Sequence, residues 1–123
     1  MRAGCGVPLV WRRGLFGVAA WVVLALSLSP VEHLPSQVFD IWDKAQHAMG
    51  FAGLMVLGGW AWPAALGRVA LGLLVYGVCI EVAQQATGWR HGDVLDALAN
   101  AVGVCTGAVL GALMRKFVRP RTP

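Results

Sequence analysis

The sequence predicts an all-α integral membrane protein, a four-helix bundle with both termini cytoplasmic, and three observations carry that prediction. First, 58% of its 123 residues are hydrophobic and only 13% charged, too apolar for an ordinary soluble domain. Second, the apolar residues gather into four runs near the length of about 20 residues that crosses a bilayer. Third, the charges segregate. Arg2, Arg12, Arg13, Arg68, Arg115, Lys116, Arg119 and Arg121 lie at the start, at one tight turn and at the end. Lys44 and Arg90 are the other two cations, and all six acids, Glu32, Asp40, Asp43, Glu81, Asp93 and Asp96, fall near those two. That is positive-inside asymmetry across a membrane, and it excludes a nucleic-acid patch as the use of the +4 net charge. The whole chain, 1–123, reads as one membrane domain.

Residues 1–13 form a basic cytoplasmic lead, and Gly14 to Ser29 is the first span. Basic residues before a short apolar core also fit a signal peptide, with Ala25-x-Ser27 as its processing site; Pro30 and the weak small-residue pattern favour retention. Pro30 to Trp42 reads as an outer loop broken by Pro30 and Pro35, its end lying on the membrane surface through Val38, Phe39, Ile41 and Trp42. The second span covers about 43–62, its helix starting at Asp40 or Asp43, with Trp60 and Trp62 at interface depth. Pro63 to Arg68 is a cytoplasmic turn, 69–86 the third span, Thr87 to Gly92 the outer turn, and 94–117 the fourth span. Cys5, Cys79 and Cys105 are odd in number and read as small apolar fillers.

Polar residues concentrate at the outer ends of these spans. Asp40-x-x-Asp43-x-x-x-His47-x-x-Gly50 matches Asp93-x-x-Asp96-x-x-x-Asn100-x-x-Gly103 at an offset of 53 residues. The match reads either as a parallel repeat of a two-helix hairpin or as chance likeness between gapped apolar helices. Helix one offers nothing that matches Glu81. Asp93 and Asp40 fit helix capping, where an acid meets the positive helix terminus. Asp43 and His47 are four apart, as are Asp96 and Asn100, so each pair shares a helix face. A carboxylate beside an imidazole suits acid–base work, against the plainer reading of a packing hydrogen bond.

Glu81, about 8 Å below the end of its helix at 1.5 Å per residue, must face the protein interior, because a lipid-facing glutamate is costly. Gln84 lies one turn above it. Arg90 and Lys44 sit at the rim, placed either to engage an anionic group or to pair with Asp93 and Asp43. Gly103, Gly107 and Gly111 allow a close helix approach that sets Asp96 and Asn100 against a neighbour. No linear metal-ligand spacing occurs, and no metal is assigned.

These residues resemble the VanZ-like family of small bacterial membrane proteins. The likeness lies in Asp43-Lys44-x-x-His47-x-x-x-Phe51, in Glu81-x-x-Gln84, and in Arg90-x-x-Asp93-x-x-Asp96-x-x-x-Asn100-x-x-Gly103-x-x-x-Gly107. It covers about residues 43–111 in the family's order and spacing. Asp93 stands where the family often has serine, and both cap helices. The resemblance implies a four-helix protein of the bacterial cytoplasmic (inner) membrane, associated with low-level teicoplanin resistance, without a settled mechanism.

Three functions follow from the residues. One is binding or translocation of an anionic lipid or cell-wall precursor at an extracytoplasmic pocket of Asp43, Lys44, Gln84, Arg90 and Asn100. The second is an intramembrane enzyme with Glu81 or His47 as acid–base and Asp43 or Asp96 as partner or metal ligand. The third is a polar lock that only holds the helices together.

Overall fold

The computed structural model of the chain describes residues 6–30 and 36–118. Among them are four helices, α1 (Leu9–Leu28), α2 (Ser36–Ala61), α3 (Leu66–Thr87) and α4 (Val94–Val118). The start of α4 falls where the sequence places it, and three other starts come earlier. Helix α1 begins just after Pro8, whose carbonyl accepts from the Trp11 and Arg12 N–H groups at 3.0 and 3.2 Å. The basic lead is thus partly helical, as arginine, leucine and tryptophan carry no helix-breaking penalty. Helix α2 begins at the residue that follows Pro35 in the chain, and no breaker stands between it and Pro63. The expected loop up to Trp42 is therefore corrected: Ile41 and Trp42 are helical, and both face outward. The side chain of Asp40, the expected cap of this helix, lies outside the described residues, as does the segment 31–35. Helix α3 ends on Gly88, whose φ of 79° is the left-handed cap that glycine adopts without a Cβ penalty.

Contacts between the helices set their directions. Arg12 reaches the Trp60 carbonyl and Phe16 meets Trp62, so α1 and α2 run antiparallel. Leu66 and Val69 of α3 approach Gly59 and Gly58 of α2, while Tyr76 meets Phe51. Helix α4 then runs parallel to α2, since Gly103 meets Ala48 and Gly107 meets Ala52. A Cβ on either glycine would run into the carbonyl oxygen of its alanine partner, so two backbones touch over one helical turn. This is the small-residue approach expected of membrane helices. Gly111 has open space in front of it and takes no part.

At the end where α1 starts, Arg12 lies over the Trp60 ring at 5.0 Å and Arg13 over Trp62 at 5.4 Å. Such cation–π pairs suit residues poised at a lipid–water boundary. Midway, Phe51, Leu54, Met55, Leu73, Ile80 and Val104 form the apolar core.

Three of the four helices, α1, α3 and α4, are long and apolar enough to cross a membrane by length and composition. Helix α2 falls short by composition because its first half carries Asp40, Asp43, Lys44, Gln46 and His47. Burial departs from the pattern of a water-soluble protein. Among the described residues, seven buried hydrophobic residues are accompanied by six buried polar ones, while Trp21, Leu71, Val82, Leu98 and Val109 are exposed. Charged side chains are almost never buried unless paired, and contiguous exposed apolar faces mark contact with another apolar phase. These surfaces suit a lipid bilayer.

The α2–α4 contact supplies a test. Gly103→Leu or Gly107→Leu forces the two backbones apart and lowers thermal stability in detergent, by about 1–3 kcal/mol or more for an overpacked site. Gly111→Leu leaves it nearly unchanged. Equal effects at Gly107 and Gly111 would refute this contact.

Candidate functional site

The polar residues singled out in the sequence converge at the end of the molecule opposite the Arg12–Trp60 contact, and their positions follow from the helix ends. Asp43, Lys44 and His47 lie on α2, Glu81 and Gln84 on α3, Arg90 in the connection, and Asp96 and Asn100 on the first turns of α4. All but Gln84 meet in one cluster.

Its centre is a contact between α2 and α4. His47 Nδ1 lies 2.9 Å from Asn100 Oδ1, both side chains being buried. In a neutral imidazole this makes Nδ1 the donor and leaves the Nε2 lone pair free. Nε2 faces Asp43 Oδ1 at 3.8 Å and has no hydrogen-bond partner among the described residues. The Asn100 amide fits because Gly77 of α3 has no side chain: a Cβ there would stand 2.8 Å from Asn100 Nδ2. His47 and Asn100 are also the residues that the 53-residue offset equates, and Asp43 and Asp96 come close in the same way. The likeness stops a turn later, where Gly50 faces Val23 of α1 while Gly103 faces Ala48.

Around this centre stand ion pairs. Arg90 donates from Nη2 to Asp43 Oδ1, and both residues are buried. Its Nη1 donates to the Ser29 carbonyl at 3.0 Å. Lys44 Nζ lies 3.4 Å from Asp93 and 3.5 Å from Asp96. Of the two cations, Arg90 is therefore engaged inside, while the Lys44 side chain keeps 31% of its surface exposed at the rim.

Asp93 caps α4: its Oδ1 accepts from the Leu95 N–H at 3.0 Å. That donor holds the exposed Asp93 carboxyl below its ordinary pKa, and Lys44 adds to the effect. In a capping box the acid three positions on would return a bond to the Asp93 N–H. Here Glu81 of α3 does so instead, accepting at 3.1 Å through Oε2. Asp96 is thereby released to turn inward, where it is 2% exposed. The chain comes this close at Gly92 because a Cβ there would stand 2.8 Å from the Glu81 carbonyl oxygen. Glu81 Oε1 points back toward His47 Nδ1 at 3.9 Å.

Gln84 does not join the cluster. Its Nε2 donates to the Ser27 carbonyl at 2.8 Å. With Trp89 Nε1 on Leu28 O and Arg90 on Ser29 O, three consecutive carbonyls at the end of α1 are satisfied by side chains from α3 and the following connection. Helix ends leave such carbonyls without intrahelical partners, and a cation there also meets the negative end of the dipole. Sequence reasoning missed the partners Ser27, Leu28 and Ser29, since backbone acceptors carry no residue signature.

A cavity of about 220 Å³ opens between α1 and α2 and reaches the cluster. Val23, Leu26 and Met49 give it apolar walls, and Ser27, Asp43, Gln46 and His47 give it a polar floor. Larger apolar cavities lie away from the cluster, such as the one of about 510 Å³ beside Phe16, Trp62 and Tyr76. Although no linear spacing marks metal ligands, Asp43, His47 and Asp96 each bring a ligand atom to within 4.8 Å of the other two. Compared with protein-family models, curated proteins and solved structures, the chain finds no match.

The Arg90–Asp43 contact supplies a test. Asp43→Asn removes the buried carboxylate to which Arg90 donates and is expected to lower stability by about 3–5 kcal/mol, the usual result of removing one charge of a buried pair. Thermal unfolding in detergent measures it, and a variant as stable as the parent would show that Arg90 finds its main support elsewhere.

Proposed function

We propose that the chain is a VanZ-like integral protein of the bacterial cytoplasmic membrane that binds or translocates the headgroup of an anionic lipid or cell-wall precursor. In this reading it is a four-helix bundle with both termini cytoplasmic, and its polar cluster opens toward the extracytoplasmic side. The observation that carries the reading is the cavity between α1 and α2. Its apolar walls suit acyl or prenyl chains and its floor of Ser27, Asp43, Gln46 and His47 suits a hydrogen-bonding headgroup. Lys44 does not line this cavity, but its partly exposed ammonium beside Asp93 and Asp96 is the cation offered to a phosphate in this reading. Arg90 is reassigned from ligand contact to architecture, since it spans Asp43 and the end of α1. The hydrogen bonds from Tyr76, Gln84, Trp89 and Arg90 to α1 carbonyls support retention of that helix. The link to glycopeptide resistance rests on the motif likeness alone.

One observation favours a second reading, an intramembrane enzyme. His47 Nδ1 lies against Asn100 while Nε2 has no hydrogen-bond partner among the described residues, the arrangement a neutral imidazole would use as a general base.

Orientation is checked by reporters. A fusion after Val118 should be active only as a cytoplasmic reporter, and one inserted after Gly88 only as an exported reporter; the reverse pattern would overturn the orientation. Ligand class is checked in lipid nanodiscs of phosphatidylcholine doped with a polyprenyl phosphate. Lys44→Gln is expected to weaken binding by about tenfold, as a lost charge-assisted contact does. Binding that ignores both this variant and the presence of the phosphate would remove the lipid reading.

A further inference from the structure

We propose that Asp43, His47 and Asp96 form the protein ligands of a divalent transition-metal ion, Zn²⁺ or Mn²⁺, bound between α2 and α4. The site goes beyond the lipid reading and stands without it.

Four features of the cluster converge on it. One ligand atom from each of the three residues lies within 4.8 Å of the other two. Bonds of about 2.1 Å place ligand atoms of one ion up to about 4.2 Å apart, so small side-chain rotations close the set. All three residues are more than nine-tenths buried, at 7%, 4% and 2% exposure.

The second feature is independent of proximity. His47 Nε2 and Asp96 Oδ1 are buried and have no hydrogen-bond partner among the described residues, although Lys44 Nζ stands 3.5 Å from the latter. Buried polar atoms are nearly always satisfied, so ligand-type atoms left without a hydrogen bond in one cluster mark room for a further partner. An imidazole nitrogen and a carboxylate oxygen are both ligands that a transition-metal cation accepts.

The third feature is the surrounding shell. A metal-bound histidine commonly donates its other ring N–H to a fixed acceptor, which selects the tautomer. Asn100 Oδ1 occupies that position on His47 Nδ1. The ligating carboxylate is itself commonly hydrogen-bonded, and Arg90 holds Asp43 so.

Charge is the fourth. Among the described residues, the carboxylates of Asp43, Glu81, Asp93 and Asp96 gather around His47 and the cations Lys44 and Arg90. Acidic groups outnumber cations among these described residues, a setting that favours a bound cation. Two carboxylates with one imidazole favour Zn²⁺ or Mn²⁺ over Ca²⁺, which takes an all-oxygen shell. Lys44 acts as the competing counter-ion for Asp96.

The test uses the full chain freed of any affinity tag, stripped with chelator in detergent and dialysed against Zn²⁺ or Mn²⁺. Metal content by mass spectrometry should reach about one ion per chain. His47→Gln and Asp96→Asn, each checked for folding by helicity and thermal unfolding without metal, should weaken binding on the order of a hundredfold. Asn100→Ala should weaken it about tenfold, as loss of a ligand's hydrogen-bond partner does. Lys44→Gln, which removes the competing charge, should bind metal more tightly. A folded parent that stays metal-free overturns the site, and so do folded ligand variants that keep the parent's metal content.

Discussion

Burying charge in an otherwise apolar assembly is the constraint on which this structure depends. A charge away from water needs a partner, and each partner here is supplied by a different segment. Arg90 joins the end of α1 to Asp43 of α2. Lys44 of α2 joins Asp93 and Asp96 at the start of α4. Glu81 of α3 closes the α4 terminus, and His47 joins Asn100. The helices therefore cannot shift independently at this end without leaving a charge or a buried amide alone, which is the most expensive kind of defect in a low-dielectric interior.

The other end and the middle are held differently. There the contacts are mainly glycines against backbone, aromatic edges and a small apolar core, with Arg12, Arg13 and Tyr76 adding cation–π and backbone-carbonyl contacts. Lipid is as apolar as those side chains, so such packing aligns helices while supplying little hydrophobic drive. The division has a functional sense. Close α2–α4 packing at Gly103 and Gly107 brings the α2 and α4 polar residues together one turn higher, and the cavity between α1 and α2 reaches Asp43 and His47 of that cluster.

Much of this was legible in the amino-acid sequence. Apolar run length gave the helices, and the i, i+4 spacing of Asp43 with His47 and of Asp96 with Asn100 put each pair on one face. The 53-residue offset identified residues that do meet, although the likeness was open to chance. What escaped reading depended on backbone groups or on three dimensions. Gln84 turns to a carbonyl of α1, a partner with no side-chain signal. Glu81 completes a cap whose other half lies in the next helix. The sequence offers Asp43 or Asp96 as a metal ligand, but the trio with His47 divides between α2 and α4, so no spacing along the chain joins the three. The early start of α2 follows from the absence of breakers after Pro35, which outweighed the apparent polarity change at Asp40.

The central claim is that α2 and α4 are coupled through buried polar partners. A double-mutant cycle on His47→Ala and Asn100→Ala, followed by thermal unfolding in detergent, addresses it most directly. A hydrogen bond between buried side chains of membrane helices is typically worth about 0.6 kcal/mol and at most about 1.7. The account predicts a coupling at the upper end of that range, because the two residues share a network. Strictly additive losses would contradict it.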